Sequence, residues 1–239
     1  YLGLPAFGTP DPSPHPWIIG EPSGIVALDA LRAVVQRVRA HNTTAATPVG
    51  VEVGMSTAFG CTLQGVVPED GVIRLAVACA EAGVDEVGLS DTTGMANPAQ
   101  VRRLFLQLRA AVGAQAGAAH LHNTRGLGLA NCLAAFEAGV RTFDASLAGL
   151  GGCPYAPGAS GNVVTEDLVF MFEAMGVSTG VDLNRLTNSS QNQTGCSPRA
   201  CQHCRYRHHT VDKQRVRRKT EFFKARNRIS VRRQVWRRD

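Results

Sequence analysis

Long apolar runs are the first thing missing from this 239-residue sequence. No stretch of about 18 apolar residues occurs, so we expect no membrane-spanning helix and no membrane partner. The first residues carry neither the basic nor the apolar segment of a secretory signal, so we expect no signal peptide. The seven cysteines are odd in number and scattered, which favours a reducing compartment. These absences predict a cytoplasmic protein and leave an organellar location open.

Charge is unevenly spread along the chain, although the formal net charge is +6. Residues 187–239 hold 15 of the 25 basic residues and 3 of the 19 acidic ones, which gives this tail +12 and the remainder −6. Residues 1–22 hold six of the twelve prolines, which disfavour helices and central strands. We therefore predict an irregular arm over 1–22, a folded body over 23–186, and a disordered or loosely helical basic tail over 187–239.

The folded body alternates helical and strand patterns at a spacing of about 25 residues. Ser23, Asn97 and Thr165 are predicted helix caps, and Gly83, Gly139 and Gly176 follow predicted helix ends. Strands are predicted over 48–55, 86–89, 116–122 and 140–147. Helices are predicted from 23, from 68 to 82, from 98, from 126 to 138 and from 165 to about 175.

Short connections and strands that are apolar on both faces predict a parallel sheet covered by helices. Polar residues stand at the carboxyl ends of these strands, which is the catalytic face of a β/α barrel. We predict an α/β fold with about five βα units, forming part of a (β/α)8 TIM-type barrel. A doubly wound open sheet is the alternative.

A pair of histidines, His120 and His122, ends one of the predicted strands. Alternate residues of a strand point to the same side, so both imidazoles can face one metal ion. Asn162 carries an amide oxygen, which suits a hard divalent cation beside imidazole. Polar rim histidines and a capping asparagine are the structural alternatives.

Two further residues stand out by their surroundings. Cys153 lies in a loop rich in Gly and Pro, which can bring a thiol or the backbone close to a ligand. Asp91 ends a strand within the sequence LSDTTG, where it is either a site residue or the cap of a turn. An inert, apolar cysteine is the alternative for Cys153.

Four segments together resemble 3-hydroxy-3-methylglutaryl-CoA (HMG-CoA) lyase, a family of metal-dependent β/α barrels. They are STAFGC (residues 56–61), LSDTTG (89–94), HLHNTRGLGLAN (120–131) and AGLGGCPYAPGASGNVVTEDLV (148–169). The resemblance covers about residues 25–186, and the segment around Cys153 is specific to the lyases.

The resemblance implies cleavage of HMG-CoA, an acyl-CoA substrate, to acetyl-CoA and acetoacetate with Mg²⁺ or Mn²⁺. It implies that His120 and His122 are metal ligands, that Asn162 is a third ligand, and that His120 also takes part in catalysis. Cys153 would act in acid/base chemistry at the nascent acetyl-CoA carbon, and Asp91 would be one of the catalytic carboxylates. A divalent cation beside substrate oxygens is consistent with such a cleavage, which develops negative charge.

The sequence also departs from this family. It contains no Arg-Asp-Gly-Leu-Gln segment, whose Asp is a metal ligand in the family and whose Arg is catalytic. We expect residues 1–24 to stand in place of about three βα units, and activity to be impaired. The alternative is a catalytically incomplete lyase-like chain that associates with a second copy or a full-length paralogue through its exposed sheet edge.

The basic tail suggests two other activities. Its +12 charge could bind nucleic acid nonspecifically, although a solvated tail is the favoured interpretation. A cluster of cysteines and histidines lacks the paired spacing of zinc fingers, and we do not predict a zinc site there: Cys196, Cys201, Cys204, His208 and His209.

Overall fold

The structure is a computed structural model that describes residues 22–62, 64–149, 161–186, 227–230 and 232–233. The helices in these ranges are α1 (Pro22–Asn42), α2 (Glu69–Glu81), α3 (Pro98–Val112), α4 (Gly128–Glu137) and α5 (Thr165–Ala174). The strands are β1 (Glu52–Met55), β2 (Glu86–Asp91), β3 (Ala116–Leu121), β4 (Thr142–Ala145), β5 (Val177–Ser178), β6 (Asn227–Ser230) and β7 (Arg232–Arg233).

Strands β1 to β4 form one parallel sheet in which neighbours in sequence are neighbours in space. Each strand reaches the next through a helix, and α1 to α5 pack one against the next in the same order. A doubly wound sheet would instead reverse its strand order at a switch point. The order therefore confirms the predicted partial β/α barrel, with four complete βα units in the described residues where about five were predicted.

The two faces of this sheet differ in composition. The face that packs on the helices carries large buried side chains, and Val87, Leu89, Leu121 and Phe143 are all fully buried. The opposite face, called here the inner face, carries small and polar residues such as Gly88, Ser90, His120 and Asp144. The apolar core therefore lies between sheet and helices, and the inner face is left for polar groups.

The helix ends follow the predicted capping residues with two exceptions, Ser23 and Thr165. Ser23 was predicted as a cap but lies inside α1, which begins at Pro22. The Asn97 side chain accepts a hydrogen bond from the backbone N–H of Gln100 at 3.0 Å, as a cap of α3 should. Gly83, Gly139 and Gly176 adopt positive φ after α2, α4 and α5. Thr165 was predicted as a cap but is the first residue of α5, because Val164 takes the capping position without a side-chain hydrogen bond.

Strand β1 is shorter than the predicted strand over 48–55. The amide group of Asn42, the last residue of α1, bonds both backbone groups of Val49 at 2.8 Å. These bonds replace those of a strand, and pairing begins at Glu52. Strand β2 instead runs two residues past its predicted end and includes Asp91, which decides the face on which Asp91 lies.

The tail contributes two short strands, which corrects the prediction of disorder or loose helix for these residues. β6 pairs antiparallel with β4, and Asp144 is in register with Arg228. β7 pairs antiparallel with β5. The outer edge of β4 presents backbone groups that need partners, and the extended segment supplies them. The rest of the tail, with its cysteines and histidines, lies outside the described residues, as does the predicted arm over 1–21.

No helix in the described parts of the chain is long and apolar enough to cross a membrane.

Candidate metal centre

The carboxyl end of β3 brings His120 and His122 together on the inner face. Leu121, between them, points the other way and is fully buried in the core. The Nε2 atoms of the two imidazoles lie 3.2 Å apart, and their ring centroids lie 5.2 Å apart. His122 is only 5% exposed, so the pair is shielded on one side and accessible from His120. The alternation of β3 thus produces the predicted convergence.

Asp144 on β4 is a third member of this cluster. It stands in register with His120, and its Oδ2 lies 3.3 Å from His120 Nδ1. The side chains of His120 and Asp144 are 21% and 12% exposed, so the contact is largely withdrawn from water. The sequence analysis did not assign a role to Asp144. Its place near the carboxyl end of the strand after β3 was the signal that could have pointed to it.

Asn162 reaches the same cluster through a segment inserted between β3 and β4. Residues 161–164, called here the inserted segment, bond to both strands beyond their last shared pair. Val163 N donates to Leu121 O at 3.2 Å, and Ser146 N donates to Val163 O at 3.1 Å. His122 and Asn162 face each other in an antiparallel bridge. The structure therefore places Asn162 beside His122, 40 positions away in sequence.

The described residues on either side of the segment that contains Cys153 lie beside this cluster. Before that segment, Ala148 has a φ of 53°, a left-handed conformation that is unusual for a residue with a side chain. After it, the carboxylate of buried Glu166, in the first turn of α5, accepts the Ala148 N–H at 3.1 and 3.2 Å. This bond joins the residues before the segment to those after it. Cys153 itself lies outside the described residues.

Asp91, at the end of β2, is turned away from the histidines. It pairs in register with Leu121, so its side chain lies on the helix-packed face. Its Oδ1 accepts from Met95 N at 2.9 Å and its Oδ2 from Ala96 N at 3.2 Å. Burial raises the pKa of Asp91 to about 6, although these backbone donors act in the opposite direction. In the structure, both oxygens of Asp91 accept hydrogen bonds from the turn after β2, and its place among the catalytic carboxylates stays a prediction.

The donor set of the cluster fits a divalent cation. Two cis ligands at about 2.1 Å from an octahedral ion lie roughly 3 Å apart, close to the 3.2 Å between the two Nε2 atoms. An amide oxygen and two imidazoles suit a borderline or hard cation. Among the described residues there is no group of three or more His, Cys, Asp and Glu side chains that could hold a metal. The cluster therefore offers two imidazoles and one amide.

Comparison with known proteins agrees with this geometry. The sequence profile of the family described as HMGL-like matches residues 27–192. Hydroxymethylglutaryl-CoA lyase YngG of Bacillus subtilis is 48% identical over 137 residues, which cover 57% of this chain and 46% of that protein. (R)-citramalyl-CoA lyase of Chloroflexus aurantiacus is 45% identical over 141 residues, which cover 59% and 44%.

A similar solved structure is that of an HMG-CoA lyase from Acinetobacter baumannii in complex with coenzyme A and 3-methylmalate. It superposes with a TM-score of 0.64 and 41% identity over 72% of this chain and 54% of that one. The chain thus spans about half the length of the relatives it matches.

Proposed function

Because this chain belongs to the HMGL-like family, we propose that it acts in the metal-assisted cleavage of HMG-CoA to acetyl-CoA and acetoacetate. The observation that carries the proposal is the convergence of the His120 and His122 Nε2 atoms at 3.2 Å, at the carboxyl end of a barrel strand. Both histidines would hold Mg²⁺ or Mn²⁺ through Nε2, and Asn162 would add its amide oxygen. The bound cation would supply Lewis-acid stabilisation of the negative charge that develops on substrate oxygens.

The chain's own residues supply the remaining roles. In the cleavage, the tertiary hydroxyl would give its proton to a general base, for which the resemblance implies Asp91 or His120. The carbon–carbon bond breaks to leave the ketone of acetoacetate, and the electron pair passes to the α-carbon of acetyl-CoA. The resemblance assigns protonation of that carbon to the thiol of Cys153. The Ala148–Glu166 bond would fix the base of the loop that carries this thiol.

Asp91 fits the catalytic role less directly. By resemblance it belongs to the catalytic carboxylates. For Asp91 to take the hydroxyl proton, its oxygens would have to leave the N–H groups of Met95 and Ala96. We propose instead that Asp91 supports catalysis by holding the turn after β2.

The test is acetyl-CoA release from HMG-CoA by the purified chain, with Mn²⁺ and with a chelator, beside the Bacillus subtilis enzyme as a positive control. We expect release that requires Mn²⁺, falls at least about 100-fold in Cys153→Ser, and falls in His122→Ala with weaker Mn²⁺ binding. Cys153→Ser should bind Mn²⁺ as the unchanged chain does. No release while the control enzyme is active would contradict the proposal.

The acyl group is decided by the same assay with a second substrate. Because a citramalyl-CoA lyase is nearly as similar as the HMG-CoA lyases, citramalyl-CoA should be compared at equal concentration. We expect the larger kcat/KM with HMG-CoA. A larger kcat/KM with citramalyl-CoA would keep the lyase chemistry and change the substrate.

A second candidate function follows from the open sheet edge. Strand β1 pairs with β2 on one side, and no residue in the described ranges pairs with its other side. A chain that is catalytically incomplete alone could complete its site by association with a second copy or a longer paralogue. Specific activity that rises with protein concentration, together with a dimer in light scattering, would favour this candidate.

A further inference from the structure

Asp144 lies on β4 in register with His120, and its carboxylate meets the Nδ1 atom of that ring. β3 and β4 share the register pairs Ala119–Phe143 and His120–Asp144 before the inserted segment separates them. Asp144 therefore stands at the last direct pair between the two strands. Its Oδ2 meets Nδ1, the ring nitrogen that faces away from His122.

This contact determines where the hydrogen of a neutral His120 ring must lie. An ionised carboxylate only accepts hydrogen bonds, so Nδ1 must carry the hydrogen. Nε2 then presents a lone pair toward His122, which is the form in which an imidazole binds a cation. Without the carboxylate, either ring nitrogen of His120 could carry the hydrogen, and only one of the two forms would be ready for a cation.

The same reasoning identifies the hydrogen-bond donor in the contact between the two imidazole rings. With a lone pair on His120 Nε2, the 3.2 Å contact requires His122 Nε2–H as the donor. For both rings to hold a cation through Nε2, His122 would have to adopt its other neutral tautomer, with this hydrogen on Nδ1 instead of Nε2. The neutral His120 ring is thus already in the tautomer that can bind a cation through Nε2. His122 is the ring whose tautomer must change.

We propose that Asp144 is a positioning residue that fixes His120 as the Nδ1–H tautomer and thereby strengthens cation binding by the His120/His122 pair. The proposal rests on the proposed function for the cation and not for the substrate. Carboxylates that accept from the outer nitrogen of a ligand histidine orient the ring, and removing them typically weakens metal affinity 10–100-fold.

The first test is carried out without metal. Imidazole ¹⁵N chemical shifts of the metal-free full chain distinguish a protonated ring nitrogen from one with a lone pair, and His120→Ala assigns the signals. We expect His120 protonated on Nδ1, and a mixture of tautomers in Asp144→Ala. His120 protonated on Nε2 in the unchanged chain would overturn the proposal.

The second test measures Mn²⁺ affinity of the full chain from the electron paramagnetic resonance signal of free Mn²⁺. Asp144→Ala should raise the Kd about 10–100-fold. Asp144→Asn should raise it less, because its amide oxygen can still accept from Nδ1. The control is Thr142→Val, two residues earlier on the same face of β4, which should leave the Kd unchanged.

The outcomes separate this proposal from the proposed function. If His122→Ala weakens Mn²⁺ binding and both Asp144 variants bind normally, the positioning role is wrong and the metal centre stands. If His120→Ala and His122→Ala also bind Mn²⁺ normally, the metal centre itself is wrong, and the strengthening of cation binding by Asp144 is wrong with it.

Discussion

The carboxyl ends of β2 and β3 lie side by side in one sheet, yet their polar residues face opposite sides. His120 and His122 project from the inner face and meet each other, Asp144 and the inserted segment. Asp91 projects toward the helices, where both of its oxygens bond to the turn that follows it. The comparison teaches that polar residues at the ends of adjacent strands can lie on opposite faces of the sheet. A position at a strand end therefore does not by itself tell which residues meet in space.

The two ends also differ in what a substitution should disturb. Asp91 is 1% exposed and fills the hydrogen-bonding needs of two backbone N–H groups. In the inner-face cluster, the side chains of His120 and Asp144 are more exposed than Asp91, at 21% and 12%. We therefore expect changes on the helix-packed face to lower stability, and changes on the inner face to lower cation binding.

We expect the largest effects from substitutions at Leu121 and His122. These residues are neighbours in sequence, but their side chains lie on opposite faces of the sheet. Leu121→Ala removes a fully buried side chain and should lower the free energy of unfolding by about 2–5 kcal/mol. His122→Ala should cost less stability but raise the Mn²⁺ Kd by on the order of 100-fold or more, because it removes a direct ligand. Urea unfolding and Mn²⁺ titration of both variants check this. Equal losses of stability with unchanged Mn²⁺ binding in His122→Ala would contradict it.

Much of the fold could be predicted because its periodicity is local. The helices and strands of the body follow apolar spacing, and Asn97 and the glycines mark their ends. The predicted ends of the strands were less accurate, since the point at which a strand ends depends on tertiary contacts. Asn42 binds Val49 and so shortens β1, while the pairing of Asp91 with Leu121 lengthens β2.

The site could be predicted only where its geometry is local. His120 and His122 share a face because they are two residues apart on one strand. The contact of Asp144 with His120 depends on the register between β3 and β4, which no local pattern contains. Asn162 was assigned through the family resemblance, and its route to His122 through the inserted segment was not foreseen, because GNVV reads as an ordinary loop.

The next prediction compares the loss of stability in Asp91→Ala with that in Asp144→Ala. Asp91→Ala would leave the backbone N–H groups of Met95 and Ala96 without their acceptor, and each such loss in a buried place costs about 1–3 kcal/mol. We expect a loss of about 2–4 kcal/mol in urea unfolding. Asp144→Ala is the matched control and should lose less than about 1 kcal/mol, because it removes one long contact of 3.3 Å to an imidazole and not the acceptors of two backbone N–H groups. A larger loss in Asp144→Ala would reverse the comparison.

The raised pKa of Asp91 predicts that the stability of the chain depends on pH. With a folded-state pKa of about 6 against an ordinary value of 3.8, the native state binds the additional proton between these pH values. The contribution of Asp91 to stability therefore falls as pH rises from about 4 to 6, by on the order of 2–3 kcal/mol.

Asp91→Asn removes this titration and keeps nearly the same shape. The difference in unfolding free energy between the unchanged chain and Asp91→Asn should therefore shrink, or change sign, from pH 4 to pH 7. Urea unfolding at four pH values measures it. The other carboxyls titrate in both chains and cancel in the difference. A difference that is constant with pH would mean that Asp91 is ionised throughout this range.

The smallest expected effect concerns how much the cap of α3 contributes to the stability of the turn after β2. Asp91 bonds to the middle of this turn, and Asn97 closes it by capping α3 through Gln100 N. Asn97→Ala should cost about 1 kcal/mol in urea unfolding, because it removes one acceptor at an exposed helix end. Asn97→Asp is the control, since its carboxylate accepts the same bond and should keep stability near that of the unchanged chain. If Asn97→Ala cost as much as Asp91→Ala, the turn would depend on its cap as much as on the buried carboxylate, and burial would not explain the role of Asp91.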